Sequence, residues 1–431
     1  MSLIVGVRAR KIIDPRGKSA VEAEVSLASG ASGRAAVPFC RVEATELRDG
    51  SMSRRYDKSA LRAVTNVETI IAPMLIGMDA LDQAAIDRTM LDLDATDNKA
   101  NLGADSILSV SLAAARAAAD YLKIPLYRYI GGVNAKQMPT PMMTLLHGGG
   151  YAGNNLDFRE FMIVPGGAAS WSEALRMGAE VFHNLRAVLK SGGYDTAVSA
   201  DGGFASSLRS NDEALACLVQ AIRRAGYRPG PDVAISINAA AGRFYDAEAA
   251  IYQLSGEGRL LTGTKLIDYY EDMLRRYPVI SIEDGLAGDD WEGWQELTDR
   301  LGPIVQLVGG DLFATSPQRL RQGIRMRAAN AILIKLEQAG SITEMLDCIE
   351  TARRAGWAAV ASHLGGDPDD EAMADIAVGV NSWQIKIGAP SVIGSENKYN
   401  RLLSIEDELN SAAHFDGWEA FGDFSADDTI Y

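Results

Sequence analysis

The sequence predicts an α/β protein, with a small N-terminal α+β domain over residues 1–131 and a parallel α/β barrel over residues 138–431. Three observations lead there. The N-terminal part runs strands first and helices afterwards. The remainder alternates short apolar runs with amphipathic segments, and one such run after another ends on a polar or charged residue. Strands followed by helices make a compact α+β layer, whereas alternation makes βα units, and barrels built of such units gather their chemistry at the C-terminal ends of the strands.

The elements follow in chain order. VGVRARKIID and SAVEAEVSLASG alternate apolar and polar residues like strands and are separated by the turn Pro15-Arg16-Gly17; SGRAAVPF is a third strand. From Lys58 to Lys123 the period is helical, ending in the small-residue stretch SILSVSLAAARAAADYLK, which suits close packing. After the linker QMPTPMM, the apolar runs DVAISINAA, YPVISIEDG, PIVQLVGGDL, NAILIKLEQ, WAAVASHLGG and SWQIKIGAP read as buried parallel strands, with helices such as SITEMLDCIETARRAG between them.

Composition bounds the function. A chain of 431 residues with 47% hydrophobic and 23% charged residues can bury an ample core. A formal net charge of −15 argues against nucleic acid, whose phosphates it would repel. Cys40, Cys217 and Cys348 are isolated and carry no metal-ligand spacing, which fits a reduced cytoplasmic setting. No apolar run reaches the roughly 18 residues of a membrane span, and the N-terminus has no signal-like apolar region.

The candidate strand-end residues are Asn238, Glu283 with Asp284, Asp311, Lys335 with Glu337, His363 and Lys386. Any one of these could be a cap or a loop solubiliser; six successive strands ending this way point to a site. The two lysines inside apolar strands, Lys335 and Lys386, stand out. A desolvated ammonium is costly and tends toward a lowered pKa, which suits a proton-abstracting base. A structural salt bridge to Glu283 or Asp311 is the alternative. Two Gly-rich turns, HGGGYAGNN and ADGGFASS, allow close backbone approach.

RKIIDPRG, HGGGYAGNN, REFMIVP, DGGFA, SIEDG, GGDLF, ILIKLEQAGSITE, ASHLGG and QIKIGAP, in this order, resemble segments of the enolase family over residues 3 to 411. The resemblance implies an enolase-like fold and an ancestral reaction in which 2-phosphoglycerate loses water, a lysine removing the proton α to the carboxylate and magnesium stabilising the dianion. It implies Lys335 as the base, Lys386 as a contact to the substrate carboxylate, His363 as an active-site histidine, Glu160 beside the leaving group and Glu283 as a magnesium ligand. It further implies a homodimer or a higher homo-oligomer.

Other positions depart from the family pattern. Asn238 stands where a metal-binding aspartate is expected, and Gly310 takes the place of the third ligand, leaving its neighbour Asp311. Asp201 replaces a glutamate at the leaving hydroxyl, Tyr151 a lid histidine, and Leu364-Gly365 the Arg-Ser pair that grips phosphate. The lid PFCRVEA lacks the serine of the second magnesium, so one Mg2+ is expected and the second site is doubtful. Glu337, two residues beyond Lys335, would share its strand face by alternation and could supply the missing carboxylate, or else pair with Lys335 or Lys386. Arg159 and Arg41 could supply a new grip on the substrate.

Three functions are consistent with this pattern. One is a divergent enolase-fold lyase acting on a different small carboxylate, for example a phosphorus-containing one, with weak or absent activity on 2-phosphoglycerate. The others are a catalytically silent binding or assembly protein, and ordinary phosphopyruvate hydratase.

Overall fold

The computed structural model describes residues 1–15, 17–38, 52–199, 202–363, 371–391, 395–422 and 424, with only the backbone at 52–58 and at Tyr151. Two compact units divide the chain: residues 1–136 with 334–350 and 362–381, and residues 137–333 with 351–361 and 382–431.

In the first unit, β1 (Ile4–Ile13), β2 (Ser19–Leu27) and β3 (Ser32–Val37) form an antiparallel meander in the order of the chain. Val21, Ala23, Val25 and Leu27 alternate onto the buried face of β2, as the period-2 pattern requires. The helix Ala104–Leu122 is buried almost throughout its length. Its alanines and serines let β3 come close: a Cβ at Gly33 would lie 2.2 Å from the Ala113 carbonyl oxygen. The helix Ile342–Arg354 belongs to this unit as far as Glu350 and is held at its start by the Ile342 N–H donating to Ser111 Oγ at 3.1 Å and the Thr343 hydroxyl donating to Asp87 Oδ2 at 2.7 Å.

A nearly closed, mostly parallel barrel of nine strands, all in the second unit but for Ile334, Lys335 and Ser362, is made of β4 (Thr140–Pro141), β5 (Met143–His147), β6 (Glu160–Val164), β7 (Ala234–Asn238), β8 (Val279–Glu283), β9 (Gln306–Gly309), β10 (Ala331–Lys335), β11 (Ala358–Ser362) and β12 (Gln384–Lys386). The sheet order runs from β4 through β12, β11, β10, β9, β8, β7 and β6 to β5. Its two ends, β4 and β5, are parts of one stretch of chain interrupted at Met142, and this closes the sheet. Met142 and Thr144 both donate back to the β12 segment, to the carbonyls of Ile385 and Gly388.

All six apolar runs read as barrel strands are strands. The sequence reading missed the antiparallel opening, in which β6 pairs antiparallel with both β5 and β7. Antiparallel neighbours need no helical crossover between β5 and β6, so the βα cadence is silent there. Serine, threonine and aspartate caps start the outer helices: Ser170, Ser210, Thr262, Asp290 and Ser316 each accept a backbone N–H three residues on. The barrel interior is filled by Met142, Met162, Val164, Ala234, Ile280, Val308, Ala331, Leu333 and Val360, together with Ala420 and Phe421 from the C-terminal segment.

Candidate functional site

Strand register assembles the polar residues. His147 pairs with Glu160, Glu160 with Asn238, and Asn238 with Glu283, so four adjacent strands present one row of polar groups. All four side chains are buried. Glu160 is the hub: Thr144 Oγ1 donates to its Oε1 at 3.2 Å, Asn238 Nδ2 donates to its Oε2 at 2.7 Å, and His147 Nε2 lies 3.7 Å from Oε1. His147 Nδ1 is 2.8 Å from Ser199 Oγ, which orients the ring.

Lys386, the last residue of β12, completes the row. Its ammonium lies 2.6 Å from Glu160 Oε2 and donates to both oxygens of Glu283, at 2.9 and 2.7 Å. Burial works against charge on every member. At Glu160 it is outweighed by Lys386, then by Arg159 and His147, and the carboxyl is held well below its usual range. At Lys386 burial is outweighed by Glu160 and Glu283, and the ammonium is held above its usual range. Two carboxylates and one ammonium thus form a dry ionic cage, with Lys386 permanently charged and Glu160 an acceptor rather than a proton donor. The salt-bridge alternative for Lys386 holds with Glu283; Asp311 has no part in it, being exposed.

Beside the cage, Asp284 occupies the space that a third carboxylate would need. It adopts a left-handed conformation (φ +47°), and its carboxylate accepts the N–H groups of Gly310 and Asp311 at 2.9 to 3.0 Å. A Cβ at Gly310 would lie 2.6 Å from Asp284 Oδ2, so any larger residue there makes the Asp284 carboxylate shift.

Lys335, Glu337 and His363 belong to the first unit. Lys335 ends β10 and is 7% exposed. By alternation it follows Ala331 and Leu333, which belong to the barrel interior. The strand-face reading of Glu337 is corrected: β10 stops at Lys335, and Glu337 lies in a helical turn, Leu336–Ala339, where period-2 alternation no longer applies. It is buried and, with His363, lines a cavity of about 20 Å3 walled by Val37, Leu108, Leu112 and Met373, room for a single water.

A larger cavity of about 350 Å3 lies in the second unit, lined by the Gly148–Gly150 turn, Arg159, Arg243 and Gly256 among others. Arg41, Asp201 and Leu364-Gly365 lie outside the described residues, and Tyr151 is described by its backbone alone.

The donor set does not fit a magnesium site. Asn238 turns its amide nitrogen to Glu160 and spends its oxygen on the Ala240 N–H at 3.0 Å. Both Glu283 oxygens hold Lys386, Gly310 has no side chain, and Asp284 is committed to backbone. Among the described residues no three His, Cys, Asp or Glu side chains group to hold a metal ion. His147, Thr144 and Arg243 were not singled out as site residues from sequence. His147 stood at the edge of a glycine-rich motif and Thr144 inside an apolar run, and neither position has a signal without the register.

Two family models cover almost the whole chain. Residues 4–130 match the enolase N-terminal domain, and residues 135–423 match the enolase C-terminal TIM barrel domain. No helix among the described residues is long and apolar enough to cross a membrane.

Proposed function

The chain belongs to the enolase family, a lyase lineage, and on that premise we propose that it removes a proton α to the carboxylate of a small acid, with Lys335 as the base. In this reading activity on 2-phosphoglycerate is weak or absent, and the substrate is a different carboxylate. The observation that carries this reading is the cage: Lys386 is a fixed, desolvated positive charge where a substrate carboxylate gains negative character as its α-proton leaves. One of its two contacts to Glu283 opens to admit the substrate oxygen. Glu160, held ionised, accepts hydrogen bonds from the substrate rather than donating a proton to a leaving group.

The phosphate grip expected of the ancestral reaction is missing from the sequence at Leu364-Gly365. Losing a charge-assisted fork costs transition-state stabilisation, and about 1.4 kcal/mol is a factor of ten in rate. Magnesium, which the family typically uses, enters this reading only as a competitor: to bind Glu283 it has to displace Lys386.

A second reading is favoured by the same contacts. Three oxygens, on Glu160 and Glu283, already engage the Lys386 ammonium, as in a purely structural ion cluster of a silent relative. Deuterium exchange at the α-carbon separates the two. A panel of small carboxylates, 2-phosphoglycerate included, is incubated with the protein in D2O. Exchange that disappears in Lys335→Ala supports the enzyme; no exchange on any member supports the silent relative. Dehydration of 2-phosphoglycerate at ordinary catalytic rates would instead identify phosphopyruvate hydratase.

A further inference from the structure

The cavity of about 350 Å3 in the barrel unit falls within the size range of small-molecule pockets. Among the described residues, two arginines and one carboxylate, Asp157, line it, in a chain whose formal net charge is −15. Its walls are held by backbone. The Arg159 N–H donates to the Asn238 carbonyl at 3.0 Å, and the Gly148 N–H donates to the Arg159 carbonyl at 2.9 Å, so Arg159 is pinned between the glycine turn and the polar row. Asn154 ties that turn down through the carbonyls of His147 and Ser206, at 2.8 and 3.1 Å. On the far wall Arg243 ends the 3-10 turn Ala241–Arg243, which leads off β7 directly after Asn238 and Ala240. The Gly256 N–H donates to Asp157 Oδ1 at 2.9 Å, and a Cβ at Gly256 would lie 1.8 Å from the Asn155 carbonyl oxygen.

Glycine-rich backbone, two guanidinium groups from different elements and a preformed volume are the components of an oxyanion site. We propose that this cavity binds the compact oxyanion group of the ligand, of phosphate, phosphonate or carboxylate type, through Arg159 and Arg243. Arg159 directly precedes Glu160, so an anion held there sits at the polar row's edge and its carbon chain extends toward the cage. That the anion belongs to the substrate rests on the proton-abstraction reading; that the cavity binds an anion does not.

The test is calorimetric titration of the full chain with inorganic phosphate at low chloride. Binding is expected in the parent and is expected to weaken about tenfold or more in both Arg243→Gln and Arg159→Gln. Arg228→Gln, which breaks a surface pair with Asp232, is expected to leave it unchanged. Arg243 is exposed, so its variant keeps the fold, and the thermal midpoint of Arg159→Gln checks the other. No phosphate binding in the parent, or equal binding in parent and Arg243→Gln, overturns the site. Lys335→Ala is expected to bind phosphate normally while losing exchange, which keeps the two proposals separable. Phosphate that inhibits α-proton exchange competitively assigns the anion to the substrate; phosphate bound through Arg243 without inhibition overturns that assignment and leaves a separate anion site.

Discussion

At the scale of single residues, the cage is a balance of three buried charges, and removing one leaves the others uncompensated. Breaking such a cluster from one side costs about 3–5 kcal/mol. Lys386→Met is therefore expected to lower the unfolding free energy by about that much, measured by urea denaturation. The pH dependence follows from the two directions. The Glu160 carboxyl is held below its ordinary 4.5, so its share of stability is complete above that value and is lost as pH falls through the lowered native one. The Lys386 ammonium is held above its ordinary 10.5, so its share is complete below that value and is lost only as pH rises through the raised one. The stability difference between parent and Glu160→Gln is expected to stay flat over about pH 5 to 9 and to shrink in acid. A difference that changes steadily between pH 6 and 8 contradicts the assignment. Glu283, Asn238 and Lys386 were legible in the sequence as strand ends, and Glu160 only through the family resemblance. Their partnership was not, because alternation tells which face a side chain takes and says nothing of which acid an ammonium meets.

At the scale of elements, register does the assembling. A row of partners across β5 to β8 brings together residues about 140 positions apart, and the antiparallel start at β6 sets where Glu160 falls. No periodicity in the sequence marks that reversal. Glu337 was misread for the complementary reason: the apolar run AILIKLE carries no sign that the strand ends at Lys335 and a helical turn begins. Gly310→Asp places a carboxylate where the family's ligand is expected, yet its Cβ meets Asp284 Oδ2 at 2.6 Å. It is expected to cost about 1–3 kcal/mol from overpacking and to gain no magnesium affinity; a titration showing tight magnesium binding in this variant would mean that Asp284 gives way. In the first unit, Gly33→Val is expected to be more damaging still, since its Cβ would collide with rigid helix backbone at Ala113 and Ala117 rather than with a side chain. A melting temperature equal to that of the parent would contradict the close approach of β3 and the helix Ala104–Leu122.

Across the whole molecule, a small buried polar cluster ties barrel strands to the C-terminal segment. Gln306 and Gln384 exchange amide hydrogen bonds at 2.9 and 2.7 Å, and they reach Ser281 and the Ala420 carbonyl beyond. This joins β8, β9, β12 and the C-terminal segment. Gln306→Leu leaves a buried amide without its partner, at an expected cost of about 1–3 kcal/mol in urea unfolding; no loss would show that the pair contributes only shape. The overall architecture was legible because six barrel strands are continuous apolar runs with turn signals between them. The glutamine pair and the Arg159–Arg243 cavity were not, since both arise from residues that only folding brings together. Net charge behaved likewise: −15 for the chain says nothing of one cavity with two arginines.

Calorimetric titration of magnesium into the parent and into Lys386→Met asks most directly whether the lysine has taken the cation's place. Weak or undetectable binding in the parent, with clearly tighter binding once the ammonium is removed and Glu160 and Glu283 are released, is the expected outcome. Tight binding in the parent that is unchanged or weakened in the variant would mean that the carboxylates serve a metal after all.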